Sequence, residues 1–173
     1  MLILTHTAAG AAIGALIPDG PVDNVVGLTL GVASHYLLDK VPHWENWLGK
    51  EVEGFPSGTP LKQLPKITLI SLFLDGFLAI GFLVFVMSFI GEAGPFWKST
   101  IFWAASGAVL PDIVDNAPVI REITIKLPFV SRSRAFHERN HIAKGQVKKY
   151  GYWTGLFSQL IVITMAVWIL FGR

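Results

Sequence analysis

The chain has 173 residues and no cysteine; 52% of its residues are hydrophobic and only 15% are charged. Average soluble domains carry about 25% charged residues, so this composition favours a single membrane-embedded domain, residues 1–173, and argues against disorder. Disulfide frameworks and cysteine-based zinc sites are excluded, and the net charge of +2 does not by itself indicate nucleic-acid binding. Any transition-metal site must therefore use histidine and carboxylate ligands.

Five hydrophobic segments are expected to form helices, in chain order Thr5–Ile17, Val25–Asp39, Ile67–Gly91, Phe96–Leu110 and Tyr152–Phe171. About 20 apolar residues cross a bilayer core, and the third and fifth segments reach that length. The other three are expected to be short, tilted or re-entrant helices packed against the two long ones. The sequence thus predicts an all-α, polytopic membrane helix bundle. We expect no cleavable signal peptide, because a basic region is missing at the start of the sequence.

Histidines mark the first two segments. His6 opens the first one, where alone it would carry little information. His35 and Asp39 are four residues apart in the second, which places them on one face of a helix, and His43 follows shortly after. Neutral imidazole and carboxylate are ligands that suit zinc, manganese or iron, so this motif predicts a metal site. The alternative is an interfacial helix end with ordinary polar residues.

Three carboxylates belong to the third and fourth segments. Asp75 lies inside an otherwise apolar span, where a carboxylate is costly and usually faces a partner or a wet cavity. Asp112 and Asp115 follow Pro111, at which the fourth segment is expected to end. They are candidates to ligate a metal or to orient a ligand histidine. Simple helix termination is the alternative for this pair.

A second histidine motif, His137-Glu138-Arg139-Asn140-His141, lies in a short helix predicted over Ser133–Lys144. Two histidines four apart on a helix form a common metal-binding face, and the H-E-x-x-H pattern of zinc proteases uses its glutamate as general base. The polar surroundings of this segment leave a solvated loop helix as the alternative.

Basic residues are concentrated on one predicted side of the membrane. If all five segments cross, that side holds every lysine and arginine except Lys98 and Arg173, and the positive-inside rule makes it cytoplasmic. All five histidines fall on the same side. The basic stretch Arg121–Lys149 is interpreted as a topology determinant that contacts anionic headgroups, or as a site for a phosphate-bearing substrate. DNA binding is less favoured, because no recognition motif is present.

The order of these motifs resembles the bacterial predicted inner-membrane metal-dependent hydrolases, the LexA-regulated membrane hydrolase group and its relatives. The resemblance is carried by Thr5-His6 before a Gly/Ala-rich helix, His35-x-x-x-Asp39-x-x-Pro42-His43, Asp75, Pro111-Asp112 and the late His137-x-x-x-His141. It implies a multi-pass inner-membrane protein with metal-dependent hydrolase activity.

We therefore expect metal-activated water to attack a phosphoester, such as a phospholipid, at the cytoplasmic face. The expected cofactor is one or two ions of Zn²⁺ or Mn²⁺, and the expected partners are membrane lipids and a small anionic or lipid substrate, with no nucleic acid. The candidate metal ligands are His6, His35, Asp39, His43, Asp75, Asp112, His137 and His141. Glu138 or Asp115 is the candidate general base.

Two other functions remain open at this point. A metal or proton transporter would use Asp75 and the histidines as a path, although the lack of matching polar residues in Tyr152–Phe171 counts against it. A non-catalytic membrane protein would use the metal to hold its loops together. A catalytic site keeps an open coordination position, whereas a structural site is closed.

Overall fold

The computed structural model describes residues 1–44, 66–90, 94–116, 127–140 and 152–172, except for the side chains at positions 116, 138, 140 and 152. Within these ranges the chain forms α-helices and one short 3₁₀ turn, and no strand, which confirms the all-α expectation there. The helices are α1 Ile3–Gly14, α2 Pro21–Leu38, α3 Lys66–Phe89, α4 Thr100–Asn116, α5 Pro128–Asn140 and α6 Tyr152–Phe171.

Two of these helices are long and apolar enough to cross a membrane, namely α3 and the Trp153–Phe171 part of α6. Their outer faces expose large apolar side chains, among them Phe77 and Trp168, each more than 70% exposed. An apolar surface of this extent indicates contact with lipid or with another protein. Among the described residues, α1, α2 and α4 do not meet the same criterion, so the structure shows two candidate spans, and the expected polytopic bundle is not confirmed.

The central helix is α1, which packs against α2, α3, α4 and α6. It is apolar on nearly all sides and rich in small residues, as expected of a helix surrounded by others. The core around it consists of Ala8, Ala11, Ala12, Val86, Ile101, Ala105, Ala166 and Leu170.

Glycines allow α1 and α2 to approach the backbone of α4. A Cβ atom on Gly10 would lie 2.6 Å from the carbonyl oxygen of Ala104, and one on Gly14 would lie 2.5 Å from Cα of Ile101. Gly31 of α2 faces the same carbonyl of Ala104 even more closely. We call these three glycine contacts with α4 the glycine seam. Such close approach of small residues is typical of helix packing in membranes.

The seam also fixes the helix directions. Along α1, Gly10 and Gly14 meet successively earlier residues of α4, so these two helices are antiparallel. Along α2, Gly27 meets Thr100 and Gly31 meets Ala104, so α2 and α4 are parallel. The N-terminus of α1 therefore meets the C-terminal ends of α2 and α4 at one end of the bundle.

Helix α4 does not end at Pro111 as predicted but continues to Asn116. Proline has a φ angle compatible with a helix and removes one backbone hydrogen bond, and the extensive packing of α4 along α2 compensates for that loss. As a result Asp112 and Asp115 are one helical turn apart, on the face of α4 that points to the end of α2.

Candidate metal centre

Four buried side chains from three helices and one helix cap meet at this end of the bundle. His6 comes from the first turns of α1, His35 from the last turn of α2, and His137 from α5. Asp39 is the residue that caps the C-terminus of α2. His6, His35 and Asp39 are fully buried and His137 is 4% exposed.

Three ligand-type atoms form a small triangle. The Oδ2 atom of Asp39 lies 3.1 Å from Nε2 of His35 and 3.0 Å from Nε2 of His137. The two Nε2 atoms are 3.2 Å apart. The predicted one-face arrangement of His35 and Asp39 is thus present, and His137 joins it from a distant part of the chain. The other oxygen of Asp39, Oδ1, lies 3.1 Å from the amino group of Met1.

The opposite ring nitrogens fix how the two imidazoles face the triangle. Nδ1 of His35 donates a hydrogen bond to the carbonyl oxygen of Ala108 at 2.8 Å. Nδ1 of His137 donates to Oδ2 of Asp115 at 3.0 Å. In a neutral imidazole whose Nδ1 carries the proton, Nε2 has a free lone pair. Both Nε2 atoms therefore present lone pairs to the triangle when the rings are neutral, which is the arrangement found in metal-binding histidines.

In the metal-free protein a proton on His137 also satisfies the triangle. Burial lowers the pKa of His137, but its hydrogen bonds to Asp115 and Asp39 outweigh burial and raise that pKa to about 9. The imidazolium then donates from Nε2 to Asp39. Either a proton or a cation can thus sit among these three atoms.

His6 distinguishes the two arrangements. Its Nε2 lies 3.2 Å from Oδ1 of Asp39, and its ring stacks on His35 with centroids 4.2 Å apart. Neither ring nitrogen of His6 makes a hydrogen bond within the described part of the chain. A buried polar group without a partner is costly. A proton on His137 leaves this cost in place, whereas a cation between the four side chains removes it.

Asp112 provides the less enclosed side of the cluster. Its Oδ1 lies 4.0 Å from Nε2 of both His35 and His137, and its side chain is 17% exposed. Two groups have ligand atoms within 4.8 Å of one another: His6, His35 and Asp112, and His35, Asp39 and His137. Both groups contain His35, so they describe one connected cluster.

The cluster dimensions fit a metal ion. Ligand atoms at about 2.0–2.2 Å from a tetrahedral zinc ion are about 3.3–3.6 Å from one another. The triangle atoms are separated by 3.0–3.2 Å, slightly less than this spacing. The described residues therefore supply His and Asp ligand atoms at metal-binding distance.

Asp115 and Asp75 lie outside this ligand cluster. Asp115 contacts the far side of the His137 ring, so it orients that ring instead of facing the triangle. Asp75 accepts backbone hydrogen bonds from Ile3 and Leu4, at 2.6 and 3.2 Å. The partner of the Asp75 carboxylate is thus the N-terminus of α1, and this contact explains why a carboxylate is tolerated inside an apolar helix.

The remaining candidates fall elsewhere. His43 is buried, donates from Nδ1 to the carbonyl oxygen of Val41 at 2.7 Å, and belongs to neither metal-binding group. His141 lies outside the described residues. Glu138 lies on α5, but its side chain also lies outside them. The predicted ligands that the described residues bring together are therefore His6, His35, Asp39 and His137, with Asp112 at the edge of the cluster.

Sequence reasoning missed Gln159. It lies within α6, is 3% exposed, and accepts hydrogen bonds from the backbone N–H of Leu2 and the hydroxyl of Thr5. The expectation that Tyr152–Phe171 contains no matching polar residue was wrong. The argument that singled out Asp75, a polar side chain in an apolar span, would have found Gln159 as well.

No family model, no curated protein and no solved structure matches this chain. The interpretation of the site therefore depends on its own geometry.

Proposed function

We propose that this protein is a membrane-bound metal-dependent hydrolase whose divalent ion is held by His6, His35, Asp39 and His137, with a further coordination position left for water on the partly exposed side of the cluster at Asp112. The observation that carries the proposal is the buried His6 ring, which has no hydrogen bond but lies against Asp39 and His35. Hydrogen bonding and protonation account for the other three side chains. A cation bound among these side chains would give a neutral His6 ring a partner, which otherwise only protonation of His6 and an ion pair with Asp39 could supply.

The donor set favours a single ion of zinc or manganese. Imidazole nitrogen and carboxylate oxygen suit both metals. His35 is common to both metal-binding groups, and its Nδ1 is already bound to a carbonyl oxygen, so it offers one nitrogen to one ion. A second ion could not use His35 as a ligand, so the cluster favours one ion over two.

Asp112 and Asp115 would have different roles in hydrolysis. When bound, such an ion lowers the pKa of water and polarises a phosphoryl oxygen. Asp112 has the partly exposed carboxylate nearest the triangle, so its Oδ1 orients the attacking water and accepts its proton. Asp115 keeps the Nδ1 proton of His137 in place and so keeps its Nε2 turned to the ion. Glu138 is one of the two candidate general bases that the sequence predicts. Replacing Asp112 and Glu138 one at a time and comparing turnover would show which of the two carboxylates is the base.

The substrate class is inferred from α5, the helix that supplies His137. Arg132 and Arg139 are exposed on this helix, and Phe129 and Phe136 are exposed beside them. Guanidinium groups bind phosphate, and aromatic side chains favour the membrane interface. A phosphoester with a lipid part is the substrate that suits this surface. The described helix ends that border the basic stretches 40–66 and 117–150 lie at this end of the bundle, and on the positive-inside rule we propose that it faces the cytoplasm.

Metal analysis of the detergent-purified protein tests the proposal. The wild type should carry about one equivalent of Zn²⁺ or Mn²⁺ after metal-replete expression, and His35→Ala and His137→Ala should lose it. The matched controls are Thr29→Ala in α2 and Ser131→Ala in α5, because both hydroxyls are exposed and bond only to their own helix. A wild type that contains no metal, or His35→Ala and His137→Ala variants that retain the ion, would refute the proposal.

Turnover then separates hydrolysis from the two rival functions. A hydrolase should cleave phosphoesters, lipid-linked ones above all, in proportion to its metal content. A transporter would instead move the ion into proteoliposomes, and a purely structural ion would exchange slowly and support neither activity. In the described helices Asp75 and Gln159 are engaged by the start of α1, so neither of them favours the transporter.

A further inference from the structure

Two buried polar residues of the membrane-length helices, Asp75 in α3 and Gln159 in α6, converge on the first residues of α1. Asp75 accepts from the backbone N–H groups of Ile3 and Leu4, and Gln159 accepts from the N–H of Leu2. The residue at the N-cap of α1, Leu2, has no side chain able to do this. The free N–H groups of a helix start need acceptors, and here α3 and α6 supply them. We call Asp75 and Gln159 the α1 clamp.

The clamp acts next to a proposed ligand. Gln159 also accepts from the hydroxyl of Thr5, at 3.2 Å, and Thr5 directly precedes His6. The amide of Gln159 is itself oriented, because its Nε2 donates to the carbonyl oxygen of Gly155 at 3.2 Å. Contacts from two sides thus fix both the height of α1 in the bundle and its rotation about its own axis, and these two variables determine where the ring of His6 lies.

The rest of α1 fixes its distance from α4 through the glycine seam but has few interlocking side chains to resist rotation or sliding along its axis. It packs through Ala8, Ala11 and Ala12, which offer shallow surfaces with few interlocking side chains. In an apolar environment the strongest directional restraints on a helix are its polar contacts. In the described part of the chain, Leu2, Ile3, Leu4 and Thr5 make polar contacts with Asp75 and Gln159.

From this geometry, and resting on the proposed function, we propose that Asp75 and Gln159 are positioning residues for the metal centre, which hold His6 in ligand position without touching the ion. Through these two residues, α3 and α6 also contribute to the geometry of the metal centre. They also explain why each apolar span carries a buried carboxylate or amide side chain next to the start of α1.

Metal affinity of the clamp variants tests this inference. Asp75→Asn replaces the charge and one acceptor oxygen, and Gln159→Met removes the acceptor at similar volume. Each should weaken Zn²⁺ or Co²⁺ binding by about 10–100-fold, the range found for residues that orient metal ligands. Ser88→Ala in α3 and Met165→Leu in α6 are controls at exposed positions and should bind as the wild type does.

A merely structural role would not reproduce two further results. The visible absorption spectrum of bound Co²⁺ in the clamp variants should change to that of His6→Ala, since both lose the same ligand. The double variant Asp75→Asn/His6→Ala should bind metal as weakly as His6→Ala alone. Losses that multiply, or a wild-type spectrum in the clamp variants, would overturn the inference.

A conservative variant covers the case in which Asp75→Asn does not fold. Gln159→Glu keeps the acceptor oxygen and should restore most of the metal affinity that Gln159→Met loses. Equal metal affinities of Gln159→Glu and Gln159→Met would also overturn the inference. A wild type that binds no metal rejects the proposed function and this inference together. A wild type that binds metal, with clamp variants that bind it equally well, rejects the positioning role alone.

Discussion

Replacement of Asp115 tests how the site orients its ligands. The carboxylate is 2% exposed and accepts from Nδ1 of His137 at 3.0 Å. A hydrogen bond to a charged group contributes about 1.5–3 kcal/mol and a neutral one about 0.5–1.5 kcal/mol. Asp115→Asn keeps the volume and an acceptor oxygen but loses the charge, so metal binding should weaken by about 1–1.5 kcal/mol, or about 5–10-fold. Asp115→Ala leaves the Nδ1 proton unpaired and should cost about 10–100-fold.

Competition with a chromophoric chelator measures these affinities in detergent. Ser131→Ala, on the same helix as His137 but exposed, serves as the control. The sequence nominated Asp115 as general base, and that role predicts a slower reaction with unchanged metal affinity. Asp115→Asn and Asp115→Ala proteins that both bind metal as tightly as the wild type would refute the orienting role.

The other predictions concern packing, proton transfer and lipid contact. Gly31→Ala should lower the free energy of unfolding by about 1–3 kcal/mol, because its Cβ would overlap the carbonyl of Ala104; thermal unfolding measures this, with Gly81→Ala, which has open space, as control. Asp112→Asn should reduce kcat by about 10²–10⁴-fold at unchanged metal content, and an equal loss of metal would make Asp112 a ligand instead. In a variant that keeps Trp168 and replaces the other five of the six tryptophans with phenylalanine, brominated lipids should quench the Trp168 fluorescence, and the absence of quenching would contradict a lipid-facing α6.

Part of the site could be predicted because it is local. His35 and Asp39 are one helical turn apart, so helix geometry alone brings them to one face, and their atoms lie 3.1 Å apart. The two long helices follow from composition in the same way, since a run of about 20 apolar residues is visible in the sequence.

The remainder depends on contacts that no local pattern encodes. Which histidine joins Asp39 is decided by how α5 meets α2, about a hundred residues later in the chain. Asp75 looked like a ligand because a buried carboxylate suggests a cation, but here the N-terminus of α1 is its partner. Helix α4 continued past Pro111 because tertiary packing outweighed a local signal.

The glycine seam has a consequence for tolerance to mutation. Its residues have no side-chain rotamers, so the spacing of α1, α2 and α4 is set by backbone against backbone, and His6 and His35 are carried on that scaffold. Substitution should therefore be nearly prohibited at Gly10, Gly14 and Gly31, although none of them touches the cluster. The exposed faces of α3 and α6 should accept almost any apolar residue. A saturation scan would then separate the two surfaces: the tolerant one contacts lipid, and the intolerant one sets the geometry of the site.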